Sequence, residues 1–204
     1  MRLIWNAVKL AFADFWEEML YLLIFNIIWL LGSLFIAPAP FLTFGLFFTA
    51  YDVSREKGIK FSTFWQHIIK TWRPALGWGL ANAAAVFMVW SNIRFYARFE
   101  GQWVTGAQFA FVGLGVLWAV LQLVALPVYP RLETPGLKLA LRNSLVVLGR
   151  RPLIGLALAV LTAFIGAIAT VIPAVVITGA VALVVMLANR LVGAVVEQEL
   201  RRQV

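Results

Sequence analysis

Apolar stretches long enough to cross a bilayer follow one another along this chain, and its basic residues cluster at alternate joints between them. If the stretches thread a membrane in turn, every one of the seventeen Lys and Arg except Arg94 and Arg98 collects on one side. The inner segments hold Arg2 and Lys9, then Arg55, Lys57, Lys60, Lys70 and Arg73, then Arg131, Lys138, Arg142, Arg150 and Arg151, and last Arg190, Arg201 and Arg202. Cytoplasmic loops carry such an excess of Lys and Arg, so the asymmetry predicts an orientation with both termini inside. The fold expected is all-α: one integral membrane domain, a polytopic bundle of about six transmembrane helices standing on amphipathic basic helices at the cytoplasmic face.

Composition excludes several other classes. The chain of 204 residues is 63% hydrophobic, above the roughly 45–50% of soluble domains, so most of its surface is expected to face lipid. The net charge of +8 could point to nucleic acid, but the basic residues sit in short joints flanking apolar runs. The partner expected for Lys57, Lys60, Lys70, Arg73, Arg142, Arg150 and Arg151 is therefore the anionic headgroup layer of the bilayer, not nucleic acid. There is no cysteine, which removes disulfides, thiolate metal sites and cysteine nucleophiles together. The first residues carry a positive charge, yet Asp14, Glu17 and Glu18 interrupt what would be a signal peptide's apolar core, so no cleaved leader is expected.

Local signals divide the chain further. Residues 1–16 place Leu3, Ile4, Ala7, Val8, Ala11, Phe12 and Phe15 at helical spacing, with Arg2, Asn6, Lys9 and Asp14 opposite, as in a helix lying in the interface. A first span is expected over about Met19–Ala37, ended by Pro38-Ala39-Pro40. The return from about Thr43 to Arg55 is short for a full crossing, which places its Pro turn below the surface or the helix inside the bundle. A second amphipathic helix covers residues 61–72, with Thr63 and Gln66 at capping-box spacing. Spans then run from about Ala75 to Tyr96 and on to about Tyr129, with Thr105 and Gln108 repeating that spacing. Thr134-Pro135 reads as the start of a third foot helix to Gly149. A fifth span to about Val171, a turn at Pro173 and a sixth span toward Asn189 complete the series. Arg73-Pro74 and Arg151-Pro152 each close a foot helix and open a span, a weak internal echo of the kind seen in transporters.

Candidate chemistry is sparse. His67 is the only histidine and sits on the polar face of its helix, with no carboxylate at local spacing; a proton-linked role competes with a plain interfacial one. Asp52, near the inner end of the second span, is the ionisable group most worth following, because such groups are costly in membranes. Arg55 three residues on offers it an ordinary ion pair. Asn26, Asn82 and Gln122 fall inside spans, where polar side chains bond helices together or line a path. Gly77, Gly79, Gly113 and Gly115 are expected to admit close helix contact. Trp90, Tyr96 and Trp103 beside the outer joint are read as interface aromatics, with sugar stacking as the functional alternative. Asp14, Glu17 and Glu18 suit the positive end of the first span's helix or the basic foot helices. No phosphate-binding loop, dinucleotide fingerprint, zinc-protease helix or Ser-x-x-Lys pair occurs, so neither an enzyme nor a resident cofactor or metal is expected.

Four stretches together carry a family likeness: Asn26-Ile27-Ile28-Trp29 through Pro40-Phe41-Leu42-Thr43, then Phe61-Ser62-Thr63-Phe64-Trp65, then Leu126-Pro127-Val128-Tyr129-Pro130-Arg131, and finally Leu137 to Ser144 running into Arg151-Pro152. In this order they resemble the YesL family of bacterial membrane proteins, a domain family of unknown function (624). The match thins at Gly32–Ala37 and beyond Ile177, where Asn189 and apolar character remain. The resemblance implies a small multi-pass protein of the bacterial inner membrane whose genes accompany those of carbohydrate ABC importers. It implies an accessory role beside the permease subunits and supplies no catalytic residue. The alternative is a small transporter or lipid-interacting channel in its own right.

Overall fold

The computed structural model describes residues 2–177 and 179–200, the side chains of residues 199 and 200 apart; Arg201 and Arg202 lie outside it. Among the described residues the chain is all-helical: α1 (Arg2–Glu17), α2 (Met19–Ser33), α3 (Ala39–Val53), α4 (Phe61–Lys70), α5 (Trp72–Tyr96), α6 (Gln102–Val128), α7 (Leu137–Arg150), α8 (Pro152–Val171), α9 (Ala174–Ile177) and α10 (Ala180–Leu200). A 3-10 turn, Tyr129–Arg131, extends α6. Four helices are long and apolar enough to cross a membrane: α5, α6 with its extension, α8, and α10 as far as Gln198. A fifth crossing requires α1 and α2 to act as one, and they are bent by 89° at Glu18. The expected first span is thus shorter than its apolar run, because α2 stops at Ser33 and Ile36 takes a left-handed φ of 59° before Pro38. At 15 residues α3 is about 22 Å long, less than a hydrocarbon core.

The core is built around α10. Its face of Ala182, Val185, Met186, Leu187, Ala188, Leu191, Val192 and Val195 is almost wholly buried. α1, α2, α3, α6 and α8 all pack on it. α3 is the second buried element: Phe44, Leu46, Phe47 and Ala50 lie inside, which explains how so short a helix is tolerated. Its Pro40 meets Gly79 of α5, where an added Cβ would come within 2.4 Å of the ring. Gly79 is only two turns into α5, so the Pro turn sits well below the far end of that helix. Beyond this point α5 and α6 continue as a hairpin whose outer half exposes large apolar side chains such as Phe87, Met88, Phe109 and Leu114. Gly113 in that region faces open space, contrary to the close contact expected of it, and Gly115 makes an ordinary contact with Val89.

Several starts and faces differ from the sequence reading. Lys60, not Thr63, precedes the first turn of α4, and the Thr63 hydroxyl accepts from the Lys60 N–H at 3.2 Å. α6 begins at Gln102 after Gly101, whose φ of 120° needs glycine, so Thr105 is already inside the helix. α7 begins at Leu137 after Gly136, so Thr134-Pro135 precedes the helix and does not cap it. The buried stripe of α1 is narrow, Ala7, Ala11 and Asp14, and lies against α10. Asp14 therefore faces inward, not with the polar residues. Pro152 does open α8, as the Arg151-Pro152 pair predicts.

Candidate functional site

The polar side chains expected inside spans are drawn first into helix contacts. Asn26 is fully buried on α2 and serves the break before α10: its Nδ2 donates to Val176 O at 2.7 Å and its Oδ1 accepts from Ala182 N–H at 3.2 Å. Helix starts leave amides without internal partners, and here a neighbouring helix supplies the acceptor. Asn82 and Gln122 belong to a two-rung ladder between α5 and α6. Trp78 Nε1 donates to Gln122 Oε1 at 2.7 Å, and Trp118 Nε1 donates to Asn82 Oδ1 at 3.0 Å. The rungs are four residues apart on each helix, one turn of an antiparallel pair. Gln122 Nε2 is buried with no protein acceptor, beside a cavity of about 50 Å³ that Trp78, Trp118 and Leu141 help to line. A cavity of that size admits a water to satisfy it.

Asp52 has a different partner from the one expected. Its Oδ2 lies 2.7 Å from His67 Nε2 and its Oδ1 3.3 Å from Lys57 Nζ. Arg55 instead donates to Tyr51 Oη at 2.8 Å, a bond that raises its already high pKa. His67 thus has a carboxylate after all, brought by α3 packing across α4. Phe48 covers the imidazole from one side, with ring centroids 5.5 Å apart. The other basic residues are dispersed. Lys60 and Lys70 bracket α4 and Arg142 stands on the outer face of α7, all exposed. Arg73 lies over the Trp72 ring, while Arg150 and Arg151 border a cleft of about 410 Å³ between α7 and α10.

Two further contacts, not anticipated from sequence, concentrate charge at the same end. Asp14 of α1 and Arg190 of α10 form a two-point ion pair, Nε to Oδ2 and Nη2 to Oδ1, the latter at 2.7 Å. Asp14 thus pairs with α10, and neither with the start of the first span's helix nor with a basic foot helix. Arg131 donates to Pro127 O at 2.6 Å, to Asn189 Oδ1 at 3.1 Å and to Asn189 O at 3.0 Å. Its guanidinium also lies 4.7 Å above the Tyr51 ring. Asn189 is fully buried and also donates to Phe47 O, so it knots α3, α6 and α10 together. The available signal was Asn189-Arg190, two adjacent polar residues in the otherwise apolar run from 180 to 196.

At the other tip, Trp103 and Tyr96 meet edge to face at 5.9 Å, and Arg94 lies over Trp90. Tyr96 also stacks on Phe111 of α6, so these aromatics are held by contacts within the hairpin. Among the described residues no group of three His, Cys, Asp or Glu could hold a metal ion. Compared with protein-family models, curated proteins and solved structures, the chain matches none.

Proposed function

We propose that this chain is an accessory membrane protein, assisting a carbohydrate ABC importer by helix contacts in the bilayer and by its basic helices at the cytoplasmic face. The observation that carries the reading is the α5–α6 hairpin. None of the most apolar 18-residue stretch of α5 is buried, and α5 makes its main contacts with α6 and α3. The two Trp–amide rungs at its root hold the hairpin rigid, so its open faces form a preorganised surface for another membrane helix. The YesL resemblance names the partner class, permease subunits of the bacterial inner membrane. In this reading the charged end around Arg131, Arg190 and Asp52 is cytoplasmic, with both termini inside and about six membrane segments, α2 and α3 being the partial ones.

Affinity purification of the tagged protein in mild detergent, with mass spectrometry of copurifying chains, tests the reading. It expects permease subunits, and an importer whose uptake or ATPase coupling falls when the gene is deleted. Full coupling and uptake without the protein, with no permease recovered, would sink it.

A second reading, a small transporter, is favoured by the Asp52–His67 contact, an acid–base pair at the root of a short buried helix. Asp52→Asn discriminates between the two. Loss of uptake by a normally folded variant supports transport, while unchanged uptake and retained permease capture support the accessory role.

A further inference from the structure

An open cleft of about 630 Å³ lies between α1, α3 and α10, within the size range of small-ligand sites. Its polar wall is made by Tyr51, Arg55, Arg131, Asn189, Arg190 and Glu197. Leu3 and Leu10 of α1 form an apolar wall opposite. The charges in it do not cancel. Arg190 is neutralised by Asp14, which leaves Arg55 and Arg131 facing the single carboxylate of Glu197. Among the described residues no carboxylate lies within ion-pair distance of either arginine.

Arg131 is the more telling of the two, because it is partly buried and its compensation comes only from carbonyl oxygens and a ring face. A cation withdrawn from water without a counterion is costly. Three of its five N–H groups serve Pro127 and Asn189, and among the described residues the remaining two have no protein acceptor. Arg55 similarly uses one donor on Tyr51 and keeps the rest. Both guanidinium groups line the cleft beside the Tyr51 ring, and guanidinium donors suit the oxygens of a phosphate in preference to a neutral or zwitterionic group. Gly193 keeps the position open: a Cβ there would lie 2.8 Å from Arg131 Nη2.

We infer that this cleft is a phosphate site. It takes the phosphate of an anionic amphiphile, whose chains lie along Leu3 and Leu10, or of a water-soluble phosphate monoester. The inference does not depend on the importer reading, since it follows from the cleft alone.

The test uses the full-length protein in detergent, with native mass spectrometry after adding dioleoylphosphatidylglycerol and dioleoylphosphatidylcholine in equal amounts, and separately glycerol 3-phosphate. Retention of the anionic lipid over the zwitterionic one is expected. Arg55→Ala, which breaks no backbone contact, lowers that retention by about tenfold, the usual cost of one charge-assisted bond. Glu197→Gln raises it by removing the competing carboxylate. Phosphatidylglycerol that survives saturating glycerol 3-phosphate identifies a lipid headgroup as the source. Retention of glycerol 3-phosphate in its place, with the same response to both substitutions, identifies a soluble phosphate. Retention of neither, equal retention of the two lipids, or indifference to both Arg55→Ala and Glu197→Gln overturns the inference.

Discussion

Asp14 and Arg190 show how a membrane protein tolerates charges inside its bundle. Each alone would be an uncompensated ion between helices; together they satisfy one another at two points and fix α1 against α10. Breaking the pair from one side is costly because the surviving charge stays where it is. Asp14→Asn is therefore expected to lower stability by on the order of 3 kcal/mol. Asp14→Leu combined with Arg190→Leu should recover much of that loss, since an apolar pair leaves no orphan. Thermal unfolding of the three proteins in one detergent reads both effects. A double variant less stable than Asp14→Asn would show that the pair contributes net stability and not merely mutual satisfaction. The pair was beyond the reach of local spacing because 176 positions separate its members. The same holds for Asp52, whose neighbour Arg55 looked like the natural partner until α4 brought His67 closer. Spacing rules see one helix at a time.

Between elements, the chain replaces the hydrophobic effect, which does not act between helices in lipid, with specific bonds and close packing. The α5–α6 ladder is the clearest case. Removing both members of the Asn82–Trp118 rung, as Asn82→Leu and Trp118→Phe, should show a coupling of about 0.6 kcal/mol, and no more than roughly 2, in a double-mutant cycle of unfolding free energies. A coupling of zero would mean that the hairpin is held by packing alone. The long helices were legible from hydropathy because a span needs only length and apolar content: α5 ends at Tyr96 and α8 at Val171, where the runs end. Their starts were less legible. Thr63, Thr105 and Thr134 all looked like caps, yet Lys60, Gly101 and Gly136 precede the helices; Thr63 serves the start of α4 only from its third position, by accepting from Lys60 N–H. α2 and α3 eluded the span rule for a different reason. α3 buries most of its apolar residues in protein, so its length no longer reports membrane thickness, and α2 stops at Ser33 before its apolar run ends.

At the scale of the whole molecule, one end is charged and the other is an aromatic-tipped hairpin. Arg55, Arg131, Arg190, Asp52 and Glu197 gather where α1, α3, α6 and α10 meet, while Arg94 and Arg98 lie at the α5–α6 tip. That polarity is the three-dimensional form of the charge asymmetry in the sequence, and the importer proposal depends on the charged end lying at the cytoplasmic surface. The absence of cysteine gives a clean background for a direct measurement. Single cysteines placed at the exposed positions Glu100 and Lys57 can be challenged with a membrane-impermeant maleimide in intact cells and again after permeabilisation. Labelling of Glu100→Cys in intact cells, with Lys57→Cys labelled only once the membrane is opened, is the expected result. The reverse pattern, or labelling of both in intact cells, would contradict the orientation on which the account rests.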